Sequence, residues 1–131
     1  MITHLQMITI YVRDLDRALD FYSNKLGFVK LAEYDDGRGE RLVWVIPQPA
    51  RQHDLATQIA LYAPADQADS RIGAASGLVF TAADIEATYH ELKDRGVHFV
   101  KDLIRHPYGQ GAGDQEAQFA DPDGNLFLLH T

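Results

Sequence analysis

The sequence predicts an α+β fold built from two βαβββ modules, and three observations carry that prediction. First, the stretch "MITIYVRDLDRALDFYSNKLGF" at 7–28 falls on "GLVFTAADIEATYHELKDRGVHF" when Asp14 is laid on Asp84. In that alignment Leu15 meets Ile85, Leu19 meets Tyr89 and Tyr22 meets Leu92. Second, each copy places an aspartate before a helical apolar stripe and a glycine after it, the chemistry of an N-cap and a stop. Third, each helix is followed by strand-length apolar segments separated by turn residues.

The elements follow in order. Residues 7–12 alternate as a strand, and Leu15, Ala18, Leu19, Tyr22 and Leu26 lie on one helical stripe that Gly27 closes. Strands are then expected over 28–34, 41–47 and 57–63, with "DDGRGE" at 35–40 as a hairpin and "PQPARQHD" as a loop. The stretch "APADQADSRIGAAS" is expected to join the modules. The second module opens with a strand at 77–81 and a helix carrying Ile85, Tyr89 and Leu92, stopped by Gly96. Strands at 97–104, 116–120 and 125–131 complete it, with "DPDG" at 121–124 as a tight turn. A repeat this long is a duplicated module, since solenoid periods run about 20–50 residues. The expectation is one domain over 1–131, with module one at about 1–64 and module two at about 75–131.

Composition narrows the function classes. The chain has 131 residues, 46% hydrophobic and 24% charged, as in an ordinary soluble globular protein. A formal charge of −7 argues against nucleic acid, whose phosphates call for clustered Lys and Arg. Without cysteine there is neither disulfide nor thiolate chemistry. No apolar run approaches a membrane span, and no basic stretch followed by a hydrophobic one opens the chain, so a cytoplasmic location and no membrane partner are expected.

The two faces of the strands differ. One parity gives Ile8, Ile10 and Val12, then Ile59 and Leu61, then Leu78 and Phe80, then Phe127 and Leu129. That set is uniformly apolar and should pack under the helices. The other gives Met7, Thr9 and Tyr11, then Gln58, Ala60 and Tyr62, then Gly77, Val79 and Thr81, then Leu126, Leu128 and His130. Only His130 in this second set could carry charge. A plain solvated face would show several Lys or Glu, so the mixed face is assigned to a ligand pocket.

The motifs "VRDLDRALDFYSNKLGF", "AADIEATYHELKDRGV" and "FADPDGNLFLL" resemble the vicinal oxygen chelate superfamily of glyoxalases, extradiol dioxygenases and bleomycin-resistance proteins. The resemblance covers essentially the whole chain. It implies a curled, antiparallel-rich sheet forming a U-shaped cleft, within a homodimer. Metal-using members carry one His, Glu or Gln ligand on each of four strands. The matching positions here are Met7, Ala60, Gly77 and Leu128. Ala, Gly and Leu offer no donor, and a lone thioether suits Cu(I), so no metal and no other cofactor is expected.

Other chemistry is sparse. The six histidines show no HxH, HxxxH or HExxH spacing, and no P-loop, GxSxG or GxGxxG occurs. "GQGAG" at 109–113 is expected as a rim loop on an "HPYG" base. Trp44 either fills the core or, if Val43 and Val45 face the helix, points into the cleft. The residues assigned to ligand binding are Met7, Thr9, Tyr11, Trp44, Tyr62, Tyr108, Leu128 and His130. Their aromatic rings suit a planar, drug-like ligand held by burial and stacking. The expected function is therefore metal-independent small-molecule binding. The alternative is a lyase, isomerase or dioxygenase-like enzyme, using a displaced metal site (His130, Glu33, Gln58) or acid–base groups among His130, Glu33 and Tyr11. A partner-binding module with a vestigial cleft is the third reading.

Overall fold

The structure is a computed structural model that describes residues 1–107 and 114–131. The chain divides into two compact units, Met1–Ala74 and Ala75–Thr131, and each is a βαβββ module. Each carries its own four-stranded sheet, mixed in direction and not closed into a barrel. Among the described residues no helix is long and apolar enough to cross a membrane.

The first unit contains β1 (Met7–Tyr11), α1 (Leu15–Leu19), β2 (Phe28–Asp35), β3 (Arg41–Pro47) and β4 (Gln58–Ala63), in the sheet order β1-β4-β3-β2. Strand β1 runs parallel to β4, and the other pairs are antiparallel. The Asp14 carboxylate caps α1 by accepting from the Arg17 amide at 3.1 Å. The helix then differs from the straight stripe expected of it. Residues Asp20–Lys25 form a π-helical turn, in which the Leu26 amide donates to the Phe21 carbonyl at 3.0 Å. That wider turn places the successive residues Phe21 and Tyr22 both inside, while Leu19 and Leu26 are only half-buried. Gly27 takes a φ of +76°, the left-handed geometry that ends the helix.

Register explains the core. Ile10, Leu61 and Val43 form one row across β1, β4 and β3, and all three are fully buried. Each such side chain contributes roughly 2 kcal/mol of apolar burial. The carboxylates of Asp35 and Asp36 accept backbone amides of Gly37, Arg38 and Glu40, which shapes the β2–β3 hairpin. The segment after β4 is more than a connection. The Gly73 backbone amide donates to the Tyr11 carbonyl at 3.3 Å, and the Gln67 side-chain Nε2 to the Arg13 carbonyl at 3.2 Å, so it folds back onto the end of β1.

The second unit contains β5 (Leu78–Thr81), α2 (Ile85–Asp94), β6 (His98–His106), β7 (Asp114–Ala120) and β8 (Leu126–His130), ordered β5-β8-β7-β6 with β5 parallel to β8. Here the helix follows its sequence pattern. Ile85, Tyr89 and Leu92 are buried, and Asp84 caps the Ala87 amide at 3.1 Å. Phe80, Phe119 and Phe127 form a ring cluster with centroids 5.3 to 6.4 Å apart. The "DPDGN" turn is built on two buried polar residues, Asp121 and Asn125. The Asp121 carboxylate accepts the backbone amides of Asp123 and Asn125 and the Asn125 side-chain amide, each within 2.9 Å. Asn125 Oδ1 in turn accepts the Ala75 amide at 2.9 Å, tethering the segment that leads into β5.

Candidate functional site

The mixed face of the first sheet is where most of the sequence-assigned residues meet. Met7 pairs with Gln58, Thr9 with Ala60 and Tyr11 with Tyr62 across β1 and β4. Trp44 lies opposite Ala60 on one side and Ala32 on the other, which settles its direction. Val43 and Val45 take the helix side and are fully buried, whereas Trp44 is half-buried on the mixed face. A depression of about 620 Å³, counting the solvent it opens onto, is lined by Gln6, Met7, Leu31, Ala32, Trp44 and Gln58. Its wall is an indole, a thioether and aliphatic carbons, with two neutral side-chain amides. Leu31 reaches it because a β-bulge between Lys30 and Ala32 shifts the register of β2.

One row along the same face, the Tyr11 and Tyr62 rings meet edge to face at 5.4 Å. The Tyr62 hydroxyl donates to the Glu40 carboxylate, and that bond with partial desolvation pushes its pKa up to about 12. The Tyr11 ring is already engaged. The Arg71 guanidinium carbon sits 4.1 Å from its centroid, and Arg71 Nη1 donates to the Tyr11 hydroxyl at 3.0 Å. Arg71 is held from its other edge by Asp69, with Nε to Oδ1 at 3.0 Å and Nη2 to Oδ2 at 2.6 Å. This pairing lowers the Asp69 pKa to about 2. Thr9 is exposed beside this cluster.

On the second sheet, Leu128 lies opposite Gln118 and His130 opposite Glu116. Leu128 helps line a small pocket with Lys101, Asp102, Ile104, Glu116 and Gln118. Both ring nitrogens of His130 are occupied, Nε2 by Asp114 Oδ1 at 2.7 Å and Nδ1 by the Thr131 carbonyl at 2.9 Å. His106, expected as the base of a loop, instead ends β6, and its Nε2 lies 2.8 Å from Glu116 Oε1. Tyr108 and the "GQGAG" stretch fall outside the described residues.

Of the alternative acid–base and displaced-metal sets, Glu33 does not join Tyr11 or Gln58 on the first sheet's mixed face. Glu33 is the cross-strand partner of Val43, which puts it on the helix side of its sheet, away from Tyr11 and Gln58. Its carboxylate is held by Arg41 at 2.5 Å and Lys30 at 2.9 Å, and these bonds lower its pKa. The four strand positions Met7, Ala60, Gly77 and Leu128 supply no oxygen or nitrogen side-chain donor, so they do not fit the divalent ion the fold family implies. Among the described residues, no three His, Cys, Asp or Glu side chains group as metal ligands.

Two contacts here had no signal in the sequence. Arg71 sits in what reads as a linker, and its partner Tyr11 is 60 positions away. The His106–Glu116 pair depends on the β6–β7 register, which two irregularities shift.

Comparison with known proteins places this geometry. The family model described as Glyoxalase/Bleomycin resistance protein/Dioxygenase superfamily matches residues 3–129. The chain is 32% identical over 129 residues to the uncharacterized protein YetH of Bacillus subtilis (strain 168), covering 98% of both. A solved member of the same superfamily from Sphaerobacter thermophilus DSM 20745 is 36% identical with a TM-score of 0.79, over 98% of this chain and 97% of that one. TnmS3, an antibiotic binding protein from Streptomyces sp. CB03234, is 30% identical with a TM-score of 0.76, over 98% and 94% of the two chains.

Proposed function

This chain belongs to the Glyoxalase/Bleomycin resistance protein/Dioxygenase superfamily, and from that premise we propose that it binds a small, planar, aromatic or drug-like molecule without a metal. The observation that carries the reading is the Trp44 depression. An indole face, the Met7 thioether and aliphatic carbons offer burial and stacking, while Gln6 and Gln58 offer neutral hydrogen bonds. Met7 supports it twice over, because it stands at a strand position where a metal-using relative needs a ligand and here lines the depression instead. Likeness to an antibiotic binding protein over nearly the whole chain points the same way. Thr9, Tyr11 and Tyr62 extend the contact surface along the sheet. Leu128 and His130 are assigned to ligand contact on the second unit's own face.

Trp44 is the chain's single tryptophan, so its fluorescence reports the site directly. Titration with a panel of planar aromatic compounds is expected to quench it saturably for at least one of them. Replacing Met7 with Glu puts a charge against that ligand and should weaken binding roughly tenfold or more. A panel that produces no saturable change in folded protein would remove the reading.

A further inference from the structure

The Tyr11–Tyr62 pair looks, by composition, like a place for a cation. Two electron-rich rings lie beside Glu40 and Asp69 on a chain of formal charge −7. The structure fills that place from within. Arg71 covers Tyr11 at 4.1 Å, and its edge is tied to Asp69 and to the Tyr11 hydroxyl. The carboxylate is tucked away: the Asp69 side chain is 15% exposed, against 56% for Arg71. An incoming molecule therefore meets the guanidinium plane and not the acid beneath it.

We propose that Arg71 is a specificity-determining residue, which turns the Tyr11 end of this face into a stacking platform for electron-rich or anionic planar rings and closes it to cationic ones. This rests on the reading of the first sheet's mixed face as a ligand site. The inner face of the guanidinium is spent on Tyr11, and the outer face is open. A planar guanidinium stacks on aromatic rings where an ammonium would stay hydrated. The platform is held in place. Asp69 grips two nitrogens, and the Gly73 and Gln67 hydrogen bonds fasten the same segment to the backbone of residues 11 and 13. The platform and Trp44 belong to adjacent rows of one sheet face, about 7 Å apart along the strand and two strands, roughly 10 Å, apart across it, because β4 lies between β1 and β3. A planar ligand touching both would have to span roughly 12 Å, so a shorter ring system that stacks on Arg71 occupies the Tyr11 end of the face by itself.

The test compares two tricyclic probes of one shape, acridine-9-carboxylate and the cation of 9-aminoacridine, by calorimetry at neutral pH. Wild-type protein is expected to bind the carboxylate roughly tenfold more tightly than the cation. Arg71→Ala should abolish or reverse that preference, and Arg71→Gln, planar but uncharged, should do the same. Arg71→Lys should keep the preference only in part. Circular dichroism of each variant checks that the exposed substitution leaves the fold intact. An unchanged preference in Arg71→Ala and Arg71→Gln would overturn the role of Arg71 while leaving ligand binding at this face standing. Failure of both acridines to bind wild type, while other planar compounds quench Trp44, would overturn the platform alone. Failure of every planar compound would overturn both.

Discussion

Tyr62 carries a measurable signature of the site's electrostatics. Its hydroxyl donates to Glu40, so the neutral phenol is favoured in the folded protein and the pKa rises from 10.0 to about 12. A raised folded-state pKa adds stability that is complete below about pH 10 and is lost as the pH climbs toward 12. Ultraviolet titration of the folded protein should show a late-ionising tyrosine, and Glu40→Gln should bring it back toward 10. A Glu40→Gln curve identical to wild type would contradict the Tyr62–Glu40 bond. Asp69 behaves in the opposite sense: its lowered pKa keeps the Arg71 clamp intact above about pH 4 and weakens it only as the pH falls toward 2. At this scale the sequence was legible only in part. Met7, Tyr11 and Tyr62 could be placed on one face because strand side chains alternate. Arg71 could not, because what fixes it is a fold-back across 60 residues rather than any local period.

Among the elements, caps and turns were the most readable because their chemistry is local. Asp14 and Asp84 cap the two helices as their positions imply. The π-helical turn at Asp20–Lys25 was not readable, since a helical stripe at 3.6 residues per turn looks the same until one extra residue is inserted. The "DPDGN" turn turns out to be structural. Asn125 is fully buried and joins Asp121 to the Ala75 amide. Asn125→Ala removes one donor from the Asp121 carboxylate and leaves the Ala75 amide without its acceptor, and should cost roughly 3 kcal/mol, which corresponds to a fall of roughly 10 °C in Tm. Trp44 quenching should persist in the variant, because the turn lies in the other unit. A thermal midpoint within about 2 °C of wild type would contradict the buried network.

For the molecule as a whole, the repeat of residues 7–28 in 77–99 foretold two βαβββ units, and the structure gives both sheets the same strand order. The parallel pairing of each unit's first and last strands was not in that pattern, because period-two alternation is blind to strand direction. Assembly is a further expectation. Strands β2 and β6 lie at the edges of their sheets and expose Leu31, Tyr34, Val100 and Ile104. We propose a homodimer, so sedimentation should return twice the chain mass of 14.7 kDa. A monomer at micromolar concentration would contradict it.

Whether this face binds its ligand without a metal is decided by titrating metal-free and metal-loaded protein side by side. A planar aromatic ligand found by Trp44 quenching is titrated into protein stripped with a chelator, and again after adding back nickel, zinc, iron or manganese, with the metal content of each sample measured. The same Kd and one ligand per chain are expected in every sample, with less than about 0.1 equivalent of metal in the stripped one. Binding that vanishes on stripping and returns with one metal per chain would contradict binding without a metal.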